Sequence, residues 1–187
     1  MVSAQWVYST FKEGLKAFIE EQQKMGCDLS KLSYREWTKG IKEIFFNKGS
    51  NEYKIYSSIN AGEYLLDLVW AEEFKGCYRK LILGLECEWG REDHKGRLED
   101  VEEDFYKLMD VKCIVKVIIY QIGRKEQSVK FRERFRQVLL NFESHVVDEE
   151  YLFIEFVNEF KDIHTNAFYF RIPCNGKITQ VKFVDIV

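Results

Sequence analysis

Leu81-Ile82-Leu83-Gly84-Leu85-Glu86-Cys87-Glu88-Trp89, read with the run before it, Glu63-Tyr64-Leu65-Leu66-Asp67-Leu68-Val69-Trp70, decides how this chain folds. Both runs read as β-strands, and strands this apolar are normally covered on both faces. Carboxylates are out of place there. An unpaired buried charge costs several kcal/mol or more, so each must be protonated, paired or bound to a cation. Side chains alternate along a strand, so Glu86 and Glu88 share a face, and so do Glu63 and Asp67. If the two strands pair with those faces aligned, the four carboxylates converge on one pocket. A divalent cation is the simplest partner that would keep them together.

Outward from these strands, the pattern alternates between helix and strand. Val7, Phe11, Leu15, Phe18 and Ile19 form a helical stripe over residues 6–24. Ser33 with Glu36 spells a capping box for a second helix over 33–46, whose apolar side carries Trp37, Ile41, Ile44 and Phe45. A short strand is expected over 53–59, then a turn at Asn60-Ala61-Gly62, the acidic strand, a turn over 71–76, and the strand 78–89. The polar stretch 90–96 is a loop. Leu98, Val101, Phe105, Leu108 and Met109 mark another helix, and Val111–Tyr120, rich in β-branched residues, a further strand. A basic amphipathic helix over 128–142, a strand over 151–157 and a C-terminal hairpin over 167–186, turning near Pro173 and Cys174-Asn175-Gly176-Lys177, complete the chain. This order predicts an α/β fold, a three-layer α/β/α sandwich on a mixed sheet. The crossover from Glu88 to Cys113 should make those two strands parallel neighbours.

No linker or repeat divides the 187 residues, so one domain is expected over 1–187, with its core at about 6–158. Hydrophobic residues at 46% and charged residues at 32% argue against disorder. A net charge of −3 gives no general attraction to nucleic acid, so any such contact must be a local patch. Five cysteines without a CxxC pair, and three histidines without ligand spacing, give zinc chemistry no support. The odd cysteine count and the lack of a secretory leader point to a reducing, cytoplasmic setting. No apolar run approaches the roughly 20 residues that span a bilayer. No phosphate-cradling glycine motif is present.

A strand aspartate, a turn, a glutamate on the next strand, then helix and strand resembles the PD-(D/E)XK nuclease superfamily. The matching residues are Asp67 and Leu85-Glu86-Cys87-Glu88, and the likeness covers roughly 6–120. More narrowly, Glu63-Tyr64-Leu65-Leu66-Asp67, Leu85-Glu86-Cys87-Glu88-Trp89-Gly90 and Asp104-Phe105-Tyr106-Lys107-Leu108 are similar to a group of bacterial proteins in that superfamily. The resemblance implies a restriction-endonuclease-like fold in which Asp67 and Glu86 bind Mg²⁺ (or Mn²⁺). The ion would polarise the scissile phosphate and lower the pKa of an attacking water.

The departure is at Glu88, where the superfamily pattern has lysine. Either the lysine has moved, or the site binds a second metal, or it no longer cuts. Lys116, a charge in the middle of Ile114-Val115-Lys116-Val117-Ile118, is the preferred replacement, because a strand beside Glu86 could pair the two. Lys107 is the alternative, but its helical phase lies roughly 150° from the middle of its apolar stripe.

The expectation is therefore a Mg²⁺-dependent phosphodiesterase acting on nucleic acid, with DNA preferred. Asp67 and Glu86 are metal ligands, Glu88 a ligand or water-orienting base, Lys116 the charge stabiliser and Glu63 an outer ligand. The competing reading is a catalytically silent nuclease-fold relative, an interaction or immunity module, in which Asp67, Glu86 and Lys116 form structural salt bridges. Arg124, Lys125, Lys130, Arg132, Arg134 and Arg136, interleaved with Phe131 and Phe135, could contact phosphates or simply face solvent. Trp70 and Trp89 are expected to pack in the core. A homodimer or a protein partner stays open.

Overall fold

The computed structural model describes residues 2–59, 65–89, 98–123, 125–157, 163–172 and 182–186. Glu63, the 90–96 loop, Arg124, Pro173 and the hairpin turn at 174–177 lie outside the described residues. The element order is α1 (Ala4–Lys24), α2 (Tyr34–Gly49), β1 (Lys54–Ser57), β2 (Leu68–Phe74), β3 (Cys77–Glu88), α3 (Leu98–Asp110), β4 (Cys113–Ile122), α4 (Lys125–Asn141), β5 (Glu150–Val157), β6 (His164–Arg171) and β7 (Lys182–Ile186). A single 3₁₀ turn, Leu29–Lys31, joins the first two helices.

The described strands form one seven-stranded sheet in sequential order, β1 to β7. β1, β2 and β3 are an antiparallel meander, β3, β4 and β5 are parallel, and β6 and β7 return antiparallel. The two parallel joins are the ones that carry a helix, as a crossover requires. Along β4, successive residues face opposite layers. Val115, Val117 and Ile119 join the core under α1 and α2, while Ile118, Tyr120 and Ile122 join the core under α3 and α4. Helices therefore cover both faces, giving the layered α/β arrangement expected from the apolar strands.

The local rules hold well at the helix starts. The Ser33–Glu36 capping box closes in both directions, satisfying orphan N–H groups at the head of α2. Ser3 caps α1 through the Trp6 N–H, and the Ala4 N–H donates to Glu150 Oε2 at 2.5 Å, tying that end to β5. Trp70 and Trp89 are buried, as expected.

The boundary differences that bear on the acidic run are at the start and end of β2. β2 runs from Leu68 to Phe74, so the 71–74 stretch is strand rather than turn. The reversal is confined to Lys75 (φ 51°) and Gly76 (φ 74°), the left-handed pair that a tight hairpin with right-handed strand twist demands. Asp67 thus lies one residue ahead of its strand. It follows Leu66, which bridges to the sheet, and Leu65, a 79% exposed residue at φ 61°. Left-handed backbone disfavours a leucine by about 1–2 kcal/mol, so neighbouring contacts must hold this approach in place.

Gly84 supplies one such contact. A β-carbon there would lie 2.7 Å from Leu66 Cδ1 and 3.3 Å from Cys113 Sγ, so only a bare backbone lets Leu66 settle on β3. Gly84→Ala should destabilise the protein by about 1–3 kcal/mol in urea unfolding. It should also lift the Leu66–Asp67 segment, seen as faster amide exchange at Cys87, whose N–H is bonded to Asp67. A neutral substitution with unchanged exchange would refute that account.

Candidate functional site

Asp67 and Glu86 meet where β2 begins and β3 ends. The Asp67 carboxylate is fixed from two sides: its Oδ2 accepts from the Cys87 backbone N–H at 2.9 Å, and its Oδ1 sits 2.7 Å from the ammonium of Lys42. Lys42 projects from α2, is 5% exposed, and also donates to Ser58 Oγ at 3.1 Å. Glu86, 6% exposed, points to the α3 side within hydrogen-bonding reach of Asp67. Asp104 and Lys107 on α3 complete the group, joined by an ion pair at 2.5 Å.

Electrostatics follow from this crowding. Burial comes first, then repulsion from Asp67 and Asp104, and together they push the Glu86 carboxyl up to about 9; Lys107 only partly opposes them. Lys107 is itself held above its ordinary value, chiefly by its bond to Asp104. In the protein without a cation, Glu86 therefore keeps its proton at neutral pH, while each aspartate has a lysine. Removing that proton leaves the cluster one negative charge in excess.

Can this donor set accept a hard cation? Two adjacent carboxylates whose joint ionisation is resisted match what Mg²⁺ requires, since it is commonly held by one or two carboxylates, with water and substrate phosphate in the remaining positions. Among the described residues, no three His, Cys, Asp or Glu side chains converge to hold a metal ion by themselves. Asp67 and Glu86 would hold the ion. Glu88, half-buried at the end of β3 on the Glu86 face, is one strand repeat further on. Glu63 lies outside the described residues.

Lys116 is engaged elsewhere. It lies across from Gly84 on the same face as Glu86, but its ammonium turns toward the start of β5. There it is 2.7 Å from Glu149 Oε2, 2.9 Å from the Tyr151 hydroxyl and 3.1 Å from the Met109 carbonyl. The Tyr151 O–H donates to Glu149 Oε1 at 2.7 Å, and His145 Nδ1 lies 2.5 Å from the same oxygen. This buried network holds the Glu149 carboxyl below its usual range despite desolvation, through bonds from His145 and the charge of Lys116. The charges that act on Glu86 come instead from Asp67, Asp104 and Lys107. Helical phase puts Lys107 away from its apolar stripe, and its side chain is more than half exposed; it reaches the group through its ion pair with Asp104.

Lys42 and Asp104 were missed at the sequence level. Lys42 lies about 110° from the middle of the Trp37–Ile41–Ile44–Phe45 stripe, at about 100° per residue, so helical phase gives no signal for its burial. Asp104 does carry a signal, being flanked by Val101, Phe105 and Leu108. The basic helix α4, by contrast, spends several charges internally. Arg132 approaches Glu155 at 3.6 Å and the Phe168 ring at 4.7 Å, Arg134 pairs with Glu102, and Arg136 approaches Glu133 at 3.5 Å. The described cysteines are free thiols, and burial raises those of Cys87 and Cys113, the latter to about 12, so both behave as apolar side chains.

Two outcomes follow. The folded state binds the Glu86 proton up to about pH 9, the unfolded state only to about 4.5. The folded form thus carries the extra proton between those values, and stability falls as pH rises across that window. Without divalent cations, Glu86→Gln should be more stable than the parent at pH 8 by a few kcal/mol. The gap should close toward pH 4.5 in denaturant titrations, and a pH-independent gap would contradict the assignment. Lys116→Ala, which strands Glu149, should cost about 3–5 kcal/mol at pH 7; a loss below about 1 kcal/mol would show the network to be slack.

Compared with protein-family models, with curated proteins and with solved structures, the chain gives no match.

Proposed function

We propose that this chain is a Mg²⁺- or Mn²⁺-dependent phosphodiesterase acting on nucleic acid, with DNA the preferred substrate, built on a restriction-endonuclease-like version of the α/β sandwich. The observation that carries the reading is the juxtaposition of Asp67 and Glu86 at the end of an apolar sheet, with Lys107 beside them. That is the acid–acid–lysine set implied by the sequence resemblance, with the lysine supplied by α3 instead of the strand.

Each residue has a role its surroundings suit. Asp67 is pre-oriented by the Cys87 N–H and Lys42, so it needs little reorganisation to act as a ligand. Glu86 gives up its proton when positive charge arrives, which makes the site responsive to cation binding. A bound divalent ion supplies polarisation of the phosphate and a more acidic attacking water. Lys107, more than half exposed at its side chain, can swing from Asp104 toward the charge that develops on the phosphoryl oxygens. Glu88 extends the same acidic face and can orient the water.

The second reading, a catalytically silent interaction module, is favoured by a different observation. Lys42 and Lys107 already compensate Asp67 and Asp104, and Glu86 can stay neutral, so the cluster is complete without any ion.

Metal binding and cleavage separate the two. Calorimetry with Mn²⁺ should show one binding event, lost in Asp67→Asn. Cleavage of labelled DNA in Mg²⁺ should fall by roughly a hundredfold or more in Asp67→Asn, Glu86→Gln and Lys107→Ala, in proteins that remain folded. Cutting that survives Asp67→Asn and Glu86→Gln in clean preparations would end the nuclease reading. Absence of metal binding in the parent protein would favour the silent module.

A further inference from the structure

Arg35, Thr38, Lys39, Lys42, Ser58 and Ile59 line a cleft of about 650 Å³ between α2 and the chain leaving β1. We propose that this cleft seats the phosphate backbone of a nucleic acid and carries it into the Asp67–Glu86 site. The inference rests on the phosphodiesterase reading for the identity of that site, but its evidence is separate.

Three features support it. Positions 35, 39 and 42 follow helical spacing, so the three cations form a single stripe along α2. Lys42, at the inner end, is the residue that touches Asp67, so the stripe leads from solvent to the carboxylates. At about 1.5 Å per residue the stripe is roughly 10 Å long, or about three nucleotide steps at 3.4 Å each along one strand.

The cleft also offers neutral donors. Thr38 Oγ1 accepts from the Trp89 indole N–H at 2.7 Å, and Ser58 Oγ accepts from Lys42. Each hydroxyl oxygen accepts one bond from the protein, and its O–H is oriented by that bond to donate to an oxygen anion. Hydroxyls beside lysine and arginine are the usual makers of phosphate contacts. At the inner end Lys42 is paired with Asp67, so the open charge of the cleft comes from Arg35 and Lys39: Glu43 lies 3.7 Å from Lys39 in an exposed pair, and Glu36 is turned back to cap Ser33. Exposed pairs of that kind are readily exchanged for a phosphate. A chain of net charge −3 needs such a local patch if it is to bind a polyanion, and the paired arginines of α4 supply it less well.

Fluorescence anisotropy with a short fluorescein-labelled DNA duplex, in EDTA so that nothing is cut, tests the proposal. Arg35→Glu/Lys39→Glu is compared with Lys130→Glu/Arg136→Glu on α4, which changes the net charge equally. Thermal melts confirm that both variants fold. The α2 pair should weaken binding roughly tenfold or more and reduce the salt slope by about 2, whereas the α4 pair should leave both nearly unchanged. A parent protein that fails to bind the duplex, an unaffected α2 variant, or equal losses in both variants would overturn the inference. Metal-dependent cutting that is indifferent to the α2 charges would leave the phosphodiesterase reading standing and remove this one. Duplex binding through α2 without any cutting would do the reverse.

Discussion

Burial of the Glu86 carboxyl, next to the second carboxyl of Asp67, organises this molecule's candidate site. Asp67 and Glu86 occupy a largely buried corner in which charge on Glu86 beside Asp67 is disfavoured. Everything close by answers that constraint. A backbone N–H and a lysine from α2 stabilise the aspartate, a second lysine on α3 sits beside Asp104, and the glutamate retains its proton. Stability alone does not require such an arrangement, because a well-packed apolar replacement is often as stable as a buried ionic cluster.

How much of this could be read beforehand depends on the interaction involved. The layered sheet was legible because it is encoded locally, in apolar runs of strand length separated by amphipathic helices and by turn residues. The parallel neighbours β3 and β4 followed from the helix between them. Asp67 and Glu86 were legible as anomalies, polar residues where the pattern called for apolar ones. What escaped was the choice of partner. Lys116 was an equally visible anomaly, yet its counter-ion, Glu149, sits at the mouth of a different strand some thirty residues later. Long side chains select partners by three-dimensional proximity that strand periodicity does not specify. The start of β2 escaped for a related reason: Leu65 adopts a backbone geometry that no leucine signals in sequence.

The two buried charge clusters differ in kind. Around Glu149, every side chain is deeply enclosed, and Lys116, Tyr151 and His145 all converge on one carboxylate. It joins the end of α3, the end of α4 and the entry to β5, and it reads as an internal rivet. Around Glu86, the group is only partly enclosed, its lysines come from helices on opposite faces, and one carboxyl is left protonated. The two clusters thus differ in enclosure and in charge balance.

The sequential order of the sheet has a consequence for how the chain acquires its shape. Each strand pairs with the one made immediately before it, so no strand must wait for a distant segment to be synthesised. The separations between partners stay short, and short separations favour rapid folding because little loop entropy is lost before contacts form. Assembly on the ribosome could then proceed from the amino-terminal hairpins outward, with each emerging strand finding its template already present. Only the two helical crossovers interrupt this zippering, and the first of them sets the carboxylate of β3 against α3.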